Sequence, residues 1–339
     1  MNVAKYIKQI GHGTQTTCDL PEGEAHELFA AMLDGGLPDL ELGAALMALR
    51  MKTESVGELL GFHRAMSERV YALRNPSTPL KPLVFASYSG AKAEPNLLPL
   101  LALMLQRLDV PVLVHGTLEG SGRIATIYIL RELGVLPCAT QMQAQQRLES
   151  DLLAFVPTAA LCPGLANLLA LRNRLGTRNT AHGLAMLLNP FESECVRVAG
   201  AATEACLEKV ADFFTACGAD ALLLRSTEGE AFANPRRRPR IRHFRHGRER
   251  TLFEEEAGPP RMAAGLPAKV DAAATASWIR LVLAGEVPVP HPIMNQLACC
   301  LYASGYTDDL NQAKAIAAVE AGGLIPAGKS DGRLRATPR

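Results

Sequence analysis

Over the first 72 residues, apolar side chains recur every three or four positions, the spacing that places them on one face of a helix. The clearest case is EAHELFAAML (24–33), which ends just before a glycine pair, Gly35-Gly36. Similar spacing over 39–52 and 57–70 predicts two more helices. The pattern therefore predicts a helical N-terminal domain.

A different pattern begins after Pro82. Three short apolar runs rich in Val and Leu follow it: LVFAS (83–87), PVLVHG (111–116) and ADALLLRS (219–226). Helical segments come after the first two runs, over 96–108 and 123–133. This alternation predicts parallel strands joined by crossover helices, and burial on both faces explains why the runs lack alternating polarity.

We therefore expect an α/β protein, with a small all-α N-terminal domain and a larger α/β domain built on a mostly parallel central sheet. Composition sets the expected boundaries. Residues 1–72 form the helical domain, 73–82 a proline-rich linker, 83–321 the α/β domain and 322–339 a flexible tail without periodicity.

The longest charge-free stretch, 152–171, is long enough to cross a bilayer, but Pro157, Pro163 and Gly164 interrupt it. We interpret it as two buried core segments. The N-terminus lacks the apolar core of a secretory signal, and the eight cysteines show no C-x-x-C spacing. These features predict a cytoplasmic protein with reduced thiols, no membrane contact and no metal site.

The charge balance conceals a strongly basic segment. The chain has 35 Lys and Arg against 34 Asp and Glu, yet eight arginines and only one acid, Glu249, lie within positions 236–250. We call this stretch the arginine segment, and its arginines are Arg236, Arg237, Arg238, Arg240, Arg242, Arg245, Arg248 and Arg250. Their mutual repulsion favours an anionic partner; the alternative is a solvated surface loop.

Prolines determine the expected conformation of the arginine segment. Pro235 and Pro239 favour an edge strand or an extended loop over a helix. Alternate residues of an extended chain lie about 6–7 Å apart, close to the spacing of successive phosphates along one strand. This spacing predicts that four arginines contact successive phosphates of one nucleic-acid strand: Arg236, Arg238, Arg240 and Arg242.

Motifs of one enzyme family occur in order along the chain. They are RMKTESVGELLGFHRAM (50–66), FASYSGAKAEPNL (85–97), VHGTLEGSGRIATIYILRELGV (114–135) and LRNRLGTRNTAHGLAMLLNP (171–190). Together these segments resemble the anthranilate phosphoribosyltransferase family. The resemblance implies a small helical domain followed by a larger α/β domain. It also implies a glycine-rich loop that holds the pyrophosphate of phosphoribosyl pyrophosphate, and a later acidic run that binds magnesium.

Both of these features are altered in this chain. The positions of the glycine-rich loop are Ala86, Ser87, Tyr88, Ser89 and Gly90. The acidic run corresponds to TEGEAF (227–232), in which Ala231-Phe232 replaces the adjacent acidic pair. Val114 replaces a lysine, although Asn96, His115 and Gly116 remain. We therefore expect no catalytic residue, cofactor or metal, with Tyr88 filling the former pyrophosphate site and His115 buried.

One branch of the family is regarded as DNA-binding homodimers rather than enzymes, and it shares further features with this chain. These are SY-x-GA after the first strand, TEGE-x-x-ANP and ACCL near the C-terminus. The resemblance implies binding of single- or double-stranded DNA with little sequence preference, along basic grooves of a dimer joined through the helical domains. RNA is a further candidate partner.

Basic residues outside the arginine segment are the remaining candidate contacts: Arg50, Lys52, Lys92, Arg123, Arg172, Arg174 and Arg178. The resemblance places Arg172 where the enzymes bind the carboxylate of anthranilate. For each residue the alternative is a structural ion pair or an ordinary surface charge, and Arg50 and Lys52 also suit the negative end of a helix dipole. We expect nucleic acid to run from the cleft over the arginine segment.

Two further expectations remain. The alternative function is a residual phosphoribosyltransferase that uses phosphoribosyl pyrophosphate and an aromatic or nucleobase acceptor, supported by the retained Asn96, His115, Gly116 and Arg172. The apolar residues of the first helices are more numerous than so small a domain can easily bury, which favours a dimer through this domain. Packing of the same faces against the α/β domain is the alternative.

Overall fold

The computed structural model describes residues 2–11, 18–120, 122–261, 263 and 265–322. The strands in this part are β1 (Leu83–Ser87), β2 (Val112–Gly116), β3 (Leu153–Pro157), β4 (Val196–Ala201), β5 (Ala221–Arg225), β6 (Ile241–Arg245) and β7 (Arg248–Phe253). They form one sheet in the order β3-β2-β1-β4-β5-β6-β7. Strands β1 to β5 are parallel, whereas β6 and β7 are antiparallel, which confirms the predicted α/β fold with its mostly parallel sheet.

Helices precede, connect and follow these strands. The N-terminal helices are α1 (Val3–Ile10), α2 (Glu22–Leu33), α3 (Asp39–Lys52) and α4 (Val56–Ser67). Those up to β4 are α5 (Leu98–Arg107), α6 (Thr126–Glu132), α7 (Gln141–Asp151), α8 (Thr158–Leu161), α9 (Pro163–Ala170), α10 (Arg172–Leu175) and α11 (Thr180–Ala185). The last ones are α12 (Glu204–Cys217), α13 (Ala272–Leu283), α14 (His291–Ser304) and α15 (Leu310–Ala321).

The apolar runs predicted as strands at 83–87 and 111–116 are confirmed as β1 and β2, and the third run contains β5. The pattern does not indicate β4, because the charged Arg197 interrupts its apolar run. The charge-free stretch 152–171 divides into three short elements, β3, α8 and α9, rather than the two core segments expected. No helix in the described part of the chain is long and apolar enough to cross a membrane.

The N-terminal helices share a core with the α/β domain. Leu28 and Phe29 of α2 and Phe62 of α4 are buried in the same cluster as Leu165 of α9 and Phe213 of α12. Burial of these side chains within one chain accounts for the apolar surplus of the first helices. The surplus is therefore no evidence for a dimer, contrary to the expectation from the sequence.

The segment predicted as a linker, 73–82, is attached to the α/β domain at both ends. The backbone N–H of Leu73 donates to the carbonyl of Pro190 at 2.7 Å, and that of Lys81 donates to the carbonyl of Ser304 at 2.9 Å. All but the first residue of the predicted tail, 322–339, lies outside the described residues.

The strand order determines where a ligand can bind. Successive connections run outward from β1 to β2 and β3 on one side, and from β4 to β5 on the other. In open α/β sheets the loops at the carboxyl ends of the strands diverge at such a switch point and leave a crevice. We call this region, between the loops after β1, β2 and β5, the cleft.

Candidate nucleic-acid interface

The loop after β1 binds a carboxylate of the chain itself. One oxygen of Glu230 accepts hydrogen bonds from the backbone N–H groups of Ser89, at 2.8 Å, and Gly90, at 2.6 Å. Its other oxygen accepts from the Thr126 hydroxyl at 3.2 Å, and the residue is fully buried. Adjacent backbone N–H groups of this kind form an anion-binding site, and here the anion is a glutamate.

A second carboxylate binds the next part of the same loop. Glu228 accepts from the backbone N–H groups of Lys92 (2.9 Å), Ala93 (2.8 Å) and Glu94 (2.7 Å), and pairs with Arg123 at 2.6 Å. Partial burial alone would raise the pKa of Glu228, but the three N–H donors and the Arg123 charge lower it. The loop is therefore held by two anions placed side by side.

Gly229 allows both glutamates to reach the loop. Its φ is +95°, and a Cβ at this position would lie 2.3 Å from the Ser89 hydroxyl oxygen. Only glycine combines this backbone conformation with so close an approach. The sequence contains the TEGE run, but the interpretation of this run as a damaged magnesium site misses its role in holding the loop. The feature of the sequence that could have indicated this role is the presence of Glu228 and Glu230 on either side of Gly229.

The same two glutamates do not suit a magnesium ion. Their oxygens point at backbone N–H groups, whereas magnesium needs oxygen lone pairs directed at the metal. Across the described residues, no group of three His, Cys, Asp or Glu side chains is placed to hold a metal. The residues present therefore do not fit the metal-assisted phosphate site that the family resemblance implies.

The remaining residues of the former substrate loop are bonded within the core. The Tyr88 hydroxyl lies 2.8 Å from His115 Nδ1 and 2.9 Å from Thr158 Oγ1. Burial lowers the pKa of His115 to about 3 and raises that of Tyr88, so both groups are neutral near pH 7. His115 is fully buried, and its Nε2 has no hydrogen-bond partner among the described residues.

Ser87, Asn96 and Gly116 have internal roles as well. The Ser87 hydroxyl and the Asn96 amide each contact Thr126 Oγ1 at 2.7 Å. A Cβ at Gly116 would lie 1.8 Å from the Ser87 carbonyl oxygen, so the strand ends approach too closely for any other residue. These residues hold the ends of β1 and β2 together beneath the cleft.

Positive charge gathers above this closed loop. Arg178 donates to the Ser89 hydroxyl at 2.8 Å. Desolvation lowers the pKa of Arg178, and the charges of Arg172, Arg123 and Arg50 lower it further. We call these four arginines, which come from α3, α10 and two loops, the cleft cluster.

Two arginines of the cleft cluster lack a partner. Within the described residues, the side chains of Arg50 and Arg172 form no hydrogen bond or ion pair, and neither does the side chain of Lys92 in the loop. Burial lowers the pKa of His182 to about 4, and the charges of Arg178 and Arg172 contribute. Arg50 and Arg172 therefore carry positive charge that is not paired with any acid of the described residues, and such charge favours a polyanion.

Two of the candidate residues have structural roles instead. Lys52 is only 4% exposed and pairs with the buried Glu58 at 2.8 Å as well as with Asp19, so it is not available to a ligand. The prediction of Lys52 as a nucleic-acid contact is therefore wrong. Arg174 forms an exposed ion pair with Asp39 at 2.9 Å on the surface.

Most of the arginine segment is compensated by acids of the same chain, contrary to the expectation from the sequence. The ion pairs are Arg236–Glu94 (2.8 Å), Arg237–Glu255 (3.1 Å), Arg240–Glu254 (3.0 Å), Arg242–Glu249 (2.6 Å), Arg242–Glu208 (2.8 Å) and Arg245–Asp220 (3.8 Å). Arg238 donates to the carbonyl of Glu254 at 3.1 Å and lies over the Phe253 ring. The signal is present in the sequence, because Glu254, Glu255 and Glu256 follow directly after β7.

The conformation of the arginine segment also differs from the prediction. Residues 235–236 form a turn, 237 a bend, 238–240 have no regular secondary structure, and β6 begins only at Ile241. The turn at Arg236 interrupts the predicted alternation of Arg236, Arg238, Arg240 and Arg242 along one extended chain, so that prediction is wrong for Arg236. Arg236 nevertheless lies beside the cleft, because its partner Glu94 belongs to the loop that Glu228 binds.

Comparisons with known proteins place this chain in a family. Residues 4–70 match the helical bundle domain of the glycosyl transferase family. YbiB from Escherichia coli K12 is 42% identical over 308 residues, which cover 90% of this chain and 95% of YbiB. The anthranilate phosphoribosyltransferase of Methylocella silvestris is 26% identical and covers 89% of this chain and 87% of the enzyme.

Solved structures show the same fold. The anthranilate phosphoribosyltransferase from Thermus thermophilus superposes with a TM-score of 0.76 at 24% identity, over 95% of each chain. The Saccharomyces cerevisiae enzyme in complex with phosphoribosyl pyrophosphate and magnesium gives 0.71 at 13% identity, over 95% of this chain and 93% of that enzyme. The fold is that of an anthranilate phosphoribosyltransferase. The chain belongs to the branch of this family that contains YbiB.

The role of Glu228 leads to a pH-dependent prediction. Glu228→Gln should lower the free energy of unfolding at pH 7 by about 2 kcal/mol, because hydrogen bonds to a charged group contribute about 1.5–3 kcal/mol. The folded-state pKa of Glu228 is lowered. Its stabilisation is therefore complete above the ordinary glutamate pKa of about 4.3 and is lost as the pH falls through the folded-state value.

Urea denaturation of the wild type and the variant at several pH values between neutral and acidic measures the difference in their free energies of unfolding. The deficit of Glu228→Gln should shrink as the pH falls. Glu119→Gln is the control, since the exposed Glu119 side chain has no partner among the described residues. A deficit that is the same at all pH values, or one equal to that of the control, would contradict the assignment.

Proposed function

We propose that the protein binds nucleic acid with little sequence preference, through the phosphate backbone, and that it does so in the cytoplasm. The observation that carries this proposal is the cleft cluster, in which Arg50 and Arg172 have no partner among the described residues. The backbone anion site below is already filled by Glu228 and Glu230. Arg50 and Arg172 are therefore available to a ligand that the loop itself does not bind.

The chemistry of these cations favours a phosphate backbone over a small substrate. Guanidinium groups bind phosphate oxygens through paired N–H donors, and contacts to phosphate carry no direct sequence information. Arg50 comes from the end of α3 and Arg172 from α10, so the positive surface extends across the cleft rather than closing around one point. Such a surface suits a strand that passes over it, and we propose DNA as that strand.

We further propose a homodimer formed through the helical domain. Leu40 and Met51 of α3 are 81% and 72% exposed, and with Ala44 and Met47 they lie on one face of the helix. A second copy of this chain is the partner that this apolar face favours, because an isologous contact packs the same face of each copy against the other. Arg50 lies next to Met51, so such a contact would bring the two cleft clusters toward each other.

Light scattering at micromolar concentration tests the dimer. The wild type should show twice the mass of one chain, and Leu40→Glu/Met51→Glu should show one, because buried carboxylates would face each other across the contact. Circular dichroism checks that the variant is folded. A monomeric wild type would reject the dimer and leave the cleft cluster as the binding surface of a single chain.

Salt dependence tests the binding itself. Titration of labelled single-stranded DNA should show an affinity that falls steeply as the salt concentration rises. In a plot of log affinity against log salt concentration, the magnitude of the slope should decrease by about 0.7 for each phosphate that the protein no longer neutralises. Arg50→Ala/Arg172→Ala should therefore lower the slope by about 1.4 and weaken binding to all sequences alike. Duplex DNA and RNA, titrated in parallel, establish which form is preferred.

A matched control removes the same charge elsewhere. Arg147→Ala/Arg174→Ala also deletes two exposed arginines, but each of these is paired with an aspartate, Asp151 or Asp39. Its salt slope should stay close to that of the wild type. Absence of binding at low salt, a flat salt response, or equal weakening in both double variants would reject the proposal.

A phosphoribosyltransferase acting on phosphoribosyl pyrophosphate and an aromatic or nucleobase acceptor is the alternative, supported by the fold and by the retained Arg172. Calorimetry with phosphoribosyl pyrophosphate and magnesium distinguishes the two functions. We expect no magnesium-dependent heat, because Glu228 and Glu230 occupy the N–H groups of the loop. Magnesium-dependent binding would favour the transferase.

A further inference from the structure

The second half of the arginine segment lies far from the cleft. Strands β6 and β7 are joined by His246-Gly247, whose φ angles of 51° and 71° are those of a tight hairpin turn. Strand β6 is antiparallel to β5, with Ile241 opposite Leu224 and Phe244 opposite Ala221. The hairpin turn therefore lies at the edge where the parallel strands begin, opposite the edge that carries the cleft.

One face of this hairpin places two arginines directly opposite one another. Arg245 is paired across the strands with Arg248, and His243 with Arg250. Cross-strand partners point to the same face of a sheet, and like charges in this position destabilise it. Tyr302 of α14 lies beside this face, and its hydroxyl accepts a hydrogen bond from Arg250 at 3.1 Å. Together these residues line an open groove of about 710 Å³.

The acids near this groove are already engaged. Both oxygens of Glu249 accept hydrogen bonds from Arg242, at 2.6 and 2.7 Å. Asp220 accepts from His243 at 2.9 Å and from Lys81 at 2.8 Å, and Arg245 is more distant at 3.8 Å.

Glu194, the other acid of this group, pairs with Lys81 at 2.7 Å. The side chains of Arg248 and His246 are exposed and have no hydrogen-bond or ion-pair partner in the described part of the chain. Arg245 has only the long 3.8 Å pair with Asp220, and Arg250 contacts the Tyr302 hydroxyl rather than an acid, so the hairpin face carries an excess of positive charge.

We infer that this hairpin face is a second, separate binding surface for the phosphates of a nucleic-acid strand, with Arg245 and Arg248 as the central contacts. The inference rests on the proposed function and extends it to the opposite edge of the sheet. A phosphate placed between the two guanidinium groups would relieve their repulsion and accept hydrogen bonds from both.

The distance between the two surfaces has a measurable consequence. Strands of five residues separate the two edges of the sheet by on the order of 17 Å. A DNA strand long enough to contact both surfaces gains affinity by binding the second one intramolecularly, whereas a short strand does not. Removal of the hairpin arginines should therefore affect a long strand more than a short one.

The test compares two double variants that remove equal charge from the arginine segment. Arg245→Ala/Arg248→Ala removes the hairpin arginines, and Arg237→Ala/Arg240→Ala removes arginines that are paired with Glu255 and Glu254. For a long oligodeoxythymidylate, the hairpin variant should lower the salt slope by about 1.4, and the control should leave it near the wild-type value. The advantage of the long over the short oligonucleotide should disappear only in the hairpin variant.

The outcomes separate this inference from the proposed function. If the wild type binds and Arg50→Ala/Arg172→Ala weakens binding, but the hairpin variant behaves like its control, the hairpin surface is rejected and the cleft stands. If both variants of the arginine segment weaken binding equally, general charge rather than a built site is responsible, and the hairpin surface is again rejected. If the wild type does not bind at low salt, both proposals fail. Thermal denaturation of each variant confirms that it is folded.

Discussion

The structure of the cleft depends on two carboxylates that bind the backbone of the loop after β1. Glu230 and Glu228 accept hydrogen bonds from the N–H groups of Ser89, Gly90 and the three residues from Lys92 to Glu94. Backbone N–H groups in such a loop are an anion site, and a covalently attached anion occupies it permanently at high effective concentration. The N–H groups of this loop are therefore occupied by side chains of the same chain.

Closing the loop changes what the surrounding arginines can do. The chain supplies its own negative charge at the loop after β1, and Glu228 pairs with Arg123 there. Among the described residues, Arg50 and Arg172 are left without acids on the open side of the cleft. Unpaired arginines of this kind favour an anionic ligand, and this is the physical basis of the proposed nucleic-acid binding.

The sequence predicts the fold better than it predicts the charges. Apolar periodicity indicates the helices and the strands β1, β2 and β5, because these features are local. Ser89 and Glu230 are 141 positions apart, so no local pattern reveals their contact. A count of charged residues over 236–250 leaves out Glu254, although Glu254 pairs with Arg240 in the folded β6–β7 hairpin. Lys52 also resembles a surface charge until its burial against Glu58 is seen.

The most direct test of this account is nuclear magnetic resonance of the protein titrated with single-stranded DNA, observing backbone amides and arginine Nε–H groups together. The account predicts that the Nε–H signals of Arg172 and Arg178 shift, while the amide signals of Ser89 and Gly90 do not, because Glu230 holds those two N–H groups in both states. Shifts at Ser89 and Gly90 with unchanged arginine signals would show that phosphate enters the loop, and would contradict it.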